Sequence, residues 1–401
     1  MRLSHRYISF SIASITLLMV FAASAAPIPL YNLYHRLYDV TYQQLALTSV
    51  VYFIGAVSAL IFFGRLSNHI GRKPLALLVM TLAGSACLLF TIVESAFPLI
   101  LGRFLLGIAC GLASSGISAL VVDTAPPEKP WLPSVLVSNA PLVGLTCGAM
   151  LSGILVEYAP APLTLCYGVA IAGLLICALL LYFTPETVKR MPGVLSSLRP
   201  QFKLPASTRA SYPVAALTFL ATWSVGGFFQ AFAPSIAATQ LHSDSILAAA
   251  AVFSSFLLPG VMGGQVNAWV SNRTAQRGGM LLFCVALAGL IYSMYTASLP
   301  LFFVACILAG IAQGAVLTGS VGSLIKGIQE KERAGVLAVI FATSYIGAAI
   351  PTLIAGQLAT ILSLLELLTF YLGQAVIVTV ITFKFAGRSR TSDLASAETS
   401  A

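Results

Sequence analysis

Three observations predict that this chain is an all-α membrane protein of twelve transmembrane helices in two pseudo-symmetric six-helix bundles. The first is composition: 58% of residues are apolar and only 8% charged, with a mean hydropathy of +0.95. A soluble domain carries about 25% charge, so soluble classes are excluded. The second is that nearly uncharged stretches of about 20 residues, each long enough to cross a bilayer as a helix, recur along the whole length. The third is an internal repeat. Gly107-Ile-Ala-Cys-Gly111 returns as Gly310-Ile-Ala-Gln-Gly314, and at the same offset of 203 residues Gly116 pairs with Gly319, Gly144 with Gly347 and Gly153 with Gly356. A common offset near half the length implies duplication of a six-helix unit.

The segments fall at 9–30, 43–63, 75–94, 97–121, 134–156, 163–184, 212–234, 246–268, 279–298, 300–324, 334–358 and 364–385. No alternation of polar and apolar residues marks them as barrel strands. Segment one follows Arg2 and Arg6 and ends at Ala-Ser-Ala-Ala-Pro27, which imitates a secretory signal. It is expected to stay, because its removal would break the six-plus-six arrangement. Segments two and three are joined by Gly64-Arg-Leu-Ser-Asn68-His-Ile-Gly71-Arg72-Lys73-Pro74, whose glycines permit a tight turn and whose cations favour the cytoplasmic side. Segment four carries Arg103, the one charge well inside a span, with Asp123 at its end; segment five carries Asn139, Pro141 and Gly144, and Glu157 near its far end. Segment six closes on Pro185-Glu-Thr187. Segment seven holds Trp223 and Gln230, and the second copy of the loop signature, around Gly263 to Arg277 after segment eight, is degenerate. Segment ten brings Gln313 and Thr318; segment eleven brings Tyr345, Gly347 and Pro351. The divisions expected are bundles at 1–190 and 211–390, a cytoplasmic linker at 191–210 and a disordered cytoplasmic tail at 391–401.

With both termini placed inside, 19 of the 21 Lys and Arg fall on the cytoplasmic side, and only Arg36 and Arg103 fall towards the other. The net charge of +9 is therefore a topology signal and implies no nucleic-acid partner. The seven cysteines lie in apolar segments without ligand spacing, so neither metal nor disulfide framework is expected. The histidines His5, His35, His69 and His242 are expected in loops or termini, which gives no histidine relay. No cofactor is implied, and a monomer is expected.

The loop from Gly64 to Lys73 resembles the signature between helices 2 and 3 of the major facilitator superfamily, matching at Gly64, Leu66, Ser67, Asn68, Gly71, Arg72 and Lys73. Arg103 and Gly107 resemble that superfamily's R-x-x-x-G element, and Asn139-Ala-Pro141-Leu-Val-Gly144 partly resembles its antiporter signature, with Ala140 for the first glycine and Leu145 for the last. The resemblance implies an inner-membrane transporter of the twelve-helix drug-efflux and metabolite-export branch, working by alternating access. It implies an arginine at 103 that serves proton transfer or substrate binding. It also implies a gating loop in which Arg72 or Lys73, with Asn68 neutral, pairs with Asp123. Arg103, Asn139, Trp223, Gln230, Gln313 and Tyr345 are the expected pathway residues, lining a mainly neutral, partly aromatic cavity suited to amphipathic solutes. Gly107, Gly111, Gly144, Gly310, Gly314 and Gly347 with Pro141 and Pro351 are expected to pack and bend helices. No carboxylate lies in mid-span, so proton coupling must use Asp123 or Glu157 or be absent. Uptake or facilitated transport is the alternative to efflux, and a non-transporting receptor the least favoured.

Overall fold

A computed structural model describes residues 3–129, 131–198, 204–205, 208–325 and 330–386. Part of the expected linker and the whole expected tail lie outside the described residues. Among the described residues, twelve helices are long and apolar enough to cross a membrane: α1 Arg6–Tyr38, α2 Tyr42–Phe63, α3 Arg72–Phe90, α4 Ala96–Asp123, α5 Leu132–Tyr158, α6 Leu165–Tyr182, α7 Tyr212–Thr239, α8 Ile246–Gln265, α9 Asn272–Tyr295, α10 Leu299–Ile325, α11 Val339–Leu358 and α12 Leu364–Phe385. An even number of spans puts both ends of the chain at one face, the terminal face; the other is the far face.

Three boundaries differ from the sequence expectation for local reasons. α1 breaks after Ala25 and resumes as Tyr31–Tyr38, so His35 and Arg36 stand on a helix and not in a loop. His5 is likewise helical, and His69 sits in a one-turn helix, Leu66–Ile70, inside the joining loop. α9 starts seven residues early because Ser271 accepts from the Thr274 N–H as an N-cap, carrying the polar turn Asn272 to Arg277 into the helix.

Within each bundle the repeated glycines set the helix spacing. A Cβ on Gly107 would run into the Tyr52 carbonyl and one on Gly111 would lie 2.6 Å from the Ala56 carbonyl, so α4 lies directly against the backbone of α2. In the second bundle Gly310 and Gly314 press in the same way on the carbonyls of Phe256 and Gly260 in α8. In lipid, where tails are as apolar as side chains, such close packing is what holds helices together. The bundles meet along two seams, α2 against α11 and α5 against α8. These seams are also glycine-lined and related by the repeat: Gly153 abuts Ala250 and Gly356 abuts Ala46. Pro141 and Pro351 lie inside α5 and α11, removing one backbone bond from each seam helix.

Candidate functional site

The break in α1 is the starting point. Pro27 has no N–H to continue the helix, and carbonyls freed at membrane depth must find donors. Arg103 Nη1 donates to the Ser24 carbonyl (2.7 Å) and Ser152 Oγ to the Ala26 carbonyl (2.7 Å), so α4 and α5 hold the broken helix from two sides. Arg103 is 0% exposed, enclosed by protein on all sides. Its guanidinium carbon lies 4.4 Å from the centre of the Tyr52 ring, close enough for cation–π attraction. Nε and Nη2 of Arg103 and the neighbouring Ser24 Oγ are buried without a hydrogen-bond partner. The repeat sharpens the contrast, because the position matching Arg103 is Cys306, and the residue that meets Gly310 as Tyr52 meets Gly107 is Phe256. The polar cluster belongs to one bundle alone.

From Tyr52 an aromatic run crosses the seam. Tyr52 and Phe53 are 5.5 Å apart, Phe53 meets Tyr345 of α11 at 5.9 Å, and Tyr345 meets Trp223 of α7 edge-on at 5.2 Å. Gln313 Nε2 donates to the Thr222 carbonyl (3.3 Å), which seats it beside Trp223. Arg103, Trp223, Gln313 and Tyr345 are thus brought together through Tyr52 and Phe53, two residues that sequence reasoning missed. Asn139 does not join them; its amide donates back to Val135 of its own helix (2.8 Å). Thr318 likewise bonds to its own helix. Gln230 is buried on α7, but no hydrogen bond ties it to the group among the described residues.

At the terminal face the loop between α2 and α3 is held inside the first bundle. Arg72 Nε donates to Asp123 Oδ2 (3.1 Å) and its Nη1 to Ser67 Oγ, while Thr187 Oγ1 donates to the same Asp123 oxygen (3.0 Å). Lys73 does not share Asp123: Nζ donates to the carbonyls of Tyr182 and Thr184 at the end of α6. Glu186 was not singled out from sequence. Its carboxylate accepts from the Arg72 N–H (3.0 Å) and the Lys73 N–H (3.1 Å), neutralising the positive end of α3. Asn68 contributes its carbonyl, which accepts from the Met191 N–H. Gly64 has an ordinary helical backbone (φ −57°), whereas Gly71 has φ +105°, and a Cβ there would sit 2.5 Å from Glu186. A Cβ on Gly64 would in turn sit 2.5 Å from the Leu60 carbonyl, so Gly71→Ala and Gly64→Ala are each expected to lower the thermal midpoint measurably, which differential scanning fluorimetry of the two variants checks. The degenerate second copy keeps one of these contacts: Arg277 Nη2 donates to the carbonyls of Phe383 and Ala386 at the end of α12.

The far face is closed by polar contacts between the bundles. Glu157 of α5 accepts from Ser245 Oγ (2.6 Å) and from the Leu247 N–H (2.9 Å) at the start of α8. Arg36 pairs with Asp244 (3.2 Å), and Gln43 Nε2 donates to Gln357 (3.2 Å). Among the described residues, no hydrogen bond or ion pair joins the two bundles at the terminal face. The geometry is that of a molecule shut at one face around a buried, partly aromatic centre.

Comparison with known proteins fits this geometry. The family model described as Major Facilitator Superfamily matches residues 10–350. A local match to the multidrug resistance protein MdtL of Klebsiella pneumoniae is 35% identical over 81 residues, about a fifth of either chain (20% of this one and 21% of that one). The crystal structure of the human organic anion transporter MFSD10 (TETRAN) superposes with a TM-score of 0.67 at 16% identity, covering 94% of this chain and 99% of that one. At that identity the likeness concerns the fold.

Proposed function

This chain belongs to the major facilitator superfamily, and from that premise we propose that it exports a small amphipathic solute across the inner membrane by proton-coupled alternating access. Membrane transport by alternating access is the activity of the family, and family members are transporters rather than enzymes. The observation that carries the more specific reading is the buried run from Arg103 through Tyr52, Phe53 and Tyr345 to Trp223, which spans both bundles beneath a closed far face. Export, rather than uptake, is supported by the local likeness to MdtL, a multidrug resistance protein. Uptake or facilitated transport remains the second reading, favoured by the lack of a mid-span carboxylate. In this proposal the terminal face is cytoplasmic, as the distribution of cations favours, and with the far face closed the conformation described is read as inward-facing.

Everted membrane vesicles given a panel of fluorescent amphipathic dyes test the direction. Export predicts ATP- or lactate-energised accumulation inside the vesicles that collapses when the pH gradient is dissipated. Accumulation only in right-side-out vesicles would support uptake. Orientation is tested separately. Single cysteines at 36 or 242 in a Cys-less background are expected to react with an impermeant thiol reagent from outside the cell, and a cysteine at 69 is not.

We propose further that the Arg72–Asp123 pair braces the loop that moves with the cytoplasmic ends during gating. The two side chains retain 13% and 30% exposure, so solvent only partly screens the pair. Contacting residues of this kind couple by about 0.5–3 kcal/mol. Arg72→Ala and Asp123→Asn are each expected to slow flux, and the double variant to be no slower than the worse single one. Flux rates in proteoliposomes check this, and additive losses would mean the two residues act separately.

A further inference from the structure

Arg103 is the starting point for a statement about the substrate, and it rests on the reading above that the Arg103-to-Trp223 run is the transport site. An arginine side chain stays protonated at any physiological pH, and burying such a charge without a counter-ion is strongly unfavourable. Arg103 is 0% exposed, yet among the described residues the ion pairs are Arg36–Asp244 and Arg72–Asp123, and no carboxylate pairs with Arg103. The hydroxyl of Tyr31 is a hydrogen-bonding neighbour of Arg103, but a hydroxyl brings no counter-charge. The freed carbonyls at the broken end of α1 supply some negative potential, but a helix end amounts to roughly half a charge.

The unpaired atoms have a definite geometry. Nη1 is committed to the Ser24 carbonyl, and the two nitrogens without partners are Nε and Nη2. These form one side of the guanidinium fork, the side that pairs with two oxygens of a planar anion through parallel hydrogen bonds. Ser24 Oγ, also unpartnered, adds a neutral donor from α1. Beyond Tyr52, whose ring covers the guanidinium, lie Phe53, Tyr345 and Trp223, rings that can take a flat apolar body.

We propose that the substrate is an amphipathic organic monoanion. Its carboxylate-like group replaces the missing counter-charge on the Nε and Nη2 edge of Arg103, and its apolar part lies along the aromatic run. A second anionic group would have no partner, since Arg103 is the sole fully buried cation among the described residues. Polyanions and dicarboxylates are thereby disfavoured. Arg103 is 0% exposed in this conformation, so binding requires a path to that edge to open during the transport cycle.

Purified full-length protein in detergent, with benzoate and its neutral isostere benzamide as probes, tests this without a transport assay. Thermal midpoints are read across a titration of each probe at constant ionic strength, in a zwitterionic buffer with a carboxylate-free balancing salt. Benzoate is expected to raise the midpoint with a half-saturating concentration at least about tenfold below that of benzamide, as charged hydrogen bonds allow. Arg103→Gln should erase the difference. Should that variant not fold, Arg103→Lys, which keeps the charge but not the fork, should weaken the benzoate effect about tenfold while leaving benzamide unchanged. Equal behaviour of the two probes, no effect of either, or a benzoate effect that survives at Arg103→Gln would overturn the proposal. So would chloride stabilising as well as benzoate, since that assigns the edge to an inorganic ion. A benzoate-specific shift without flux in vesicles would count against the transport reading alone; flux of neutral dyes without such a shift would count against the anion alone.

Discussion

Gly107→Leu is expected to abolish transport, and Gly310→Leu to do so equally, although the two positions lie in different bundles and Gly310 meets no residue of the aromatic run. A Cβ at Gly107 already collides with the Tyr52 carbonyl, and one at Gly310 collides with the Phe256 carbonyl. The obstacle is backbone in both cases, so no rotamer change relieves it, and α4 must part from α2 or α10 from α8. Overpacking a close helix contact typically costs 1–3 kcal/mol when side chains can adjust, and here they cannot. Parting α4 from α2 also lifts Arg103 away from Tyr52 and from the break in α1, so the first variant should lose the site as well as the packing. Gly84→Leu is the control, because a Cβ there meets nothing within 4 Å and the added side chain points into free space. Flux in proteoliposomes and size-exclusion profiles of the three variants provide the comparison. Normal flux in Gly107→Leu would mean the α2–α4 contact is slack in the working protein.

Loosening the far-face contacts is expected to produce the next largest change, one of conformation rather than folding. Glu157 is the strongest of them. It meets α8 where unpaired N–H groups and the helix dipole favour an anion, and it engages the N-cap Ser245 as well as the Leu247 N–H. Arg36–Asp244, with side chains 50% and 87% exposed, is worth little alone. Glu157→Gln combined with Asp244→Asn should therefore move the closed far face towards opening by about 1–3 kcal/mol, a 5- to 150-fold change in the population ratio. Glu157→Gln alone should give most of that, and Asp244→Asn alone almost none. Accessibility of a cysteine at position 46, which faces Gly356 in the α2–α11 seam, would report the opening.

How much of this was legible in the sequence follows from what sequence patterns encode. Apolar length and the cation bias define spans, so twelve segments could be placed with most ends off by a few residues, the end of α1 by eight and the start of α9 by seven. The glycine register at Gly107 and Gly310 announced the duplication because only glycine allows those backbones to touch. Faces were harder to read, since helices that are apolar all round give no periodic signal for which side turns inward. Asn139 was thus expected in the pathway yet bonds to its own helix, while Tyr52 and Phe53, ordinary aromatic residues in a membrane span, carry the link across the seam. Glu186 reads as a loop acid after Pro185, and only the fold shows that it caps α3. Glu157 was visible as a carboxylate near a span end, but its partners are about ninety residues away in another bundle. Arg103 offered a surface-seeking or a buried reading, and the broken α1, whose carbonyl it satisfies, decides for burial.

The central claim is that the two bundles rock against each other, so that opening one face closes the other. The direct measurement is a pair of spin-label distances taken in the same protein reconstituted in nanodiscs. One pair, at 161 and 242, spans the far face; the other, at 129 and 269, spans the terminal face. Wild-type protein should show a short far-face distance and a long terminal-face distance. In Glu157→Gln/Asp244→Asn a second population should appear with the far-face distance lengthened, and the terminal-face distance should shorten in the same fraction of molecules. Lengthening at the far face with no change at the terminal face would contradict rocking and leave only a local loosening of the α5–α8 seam.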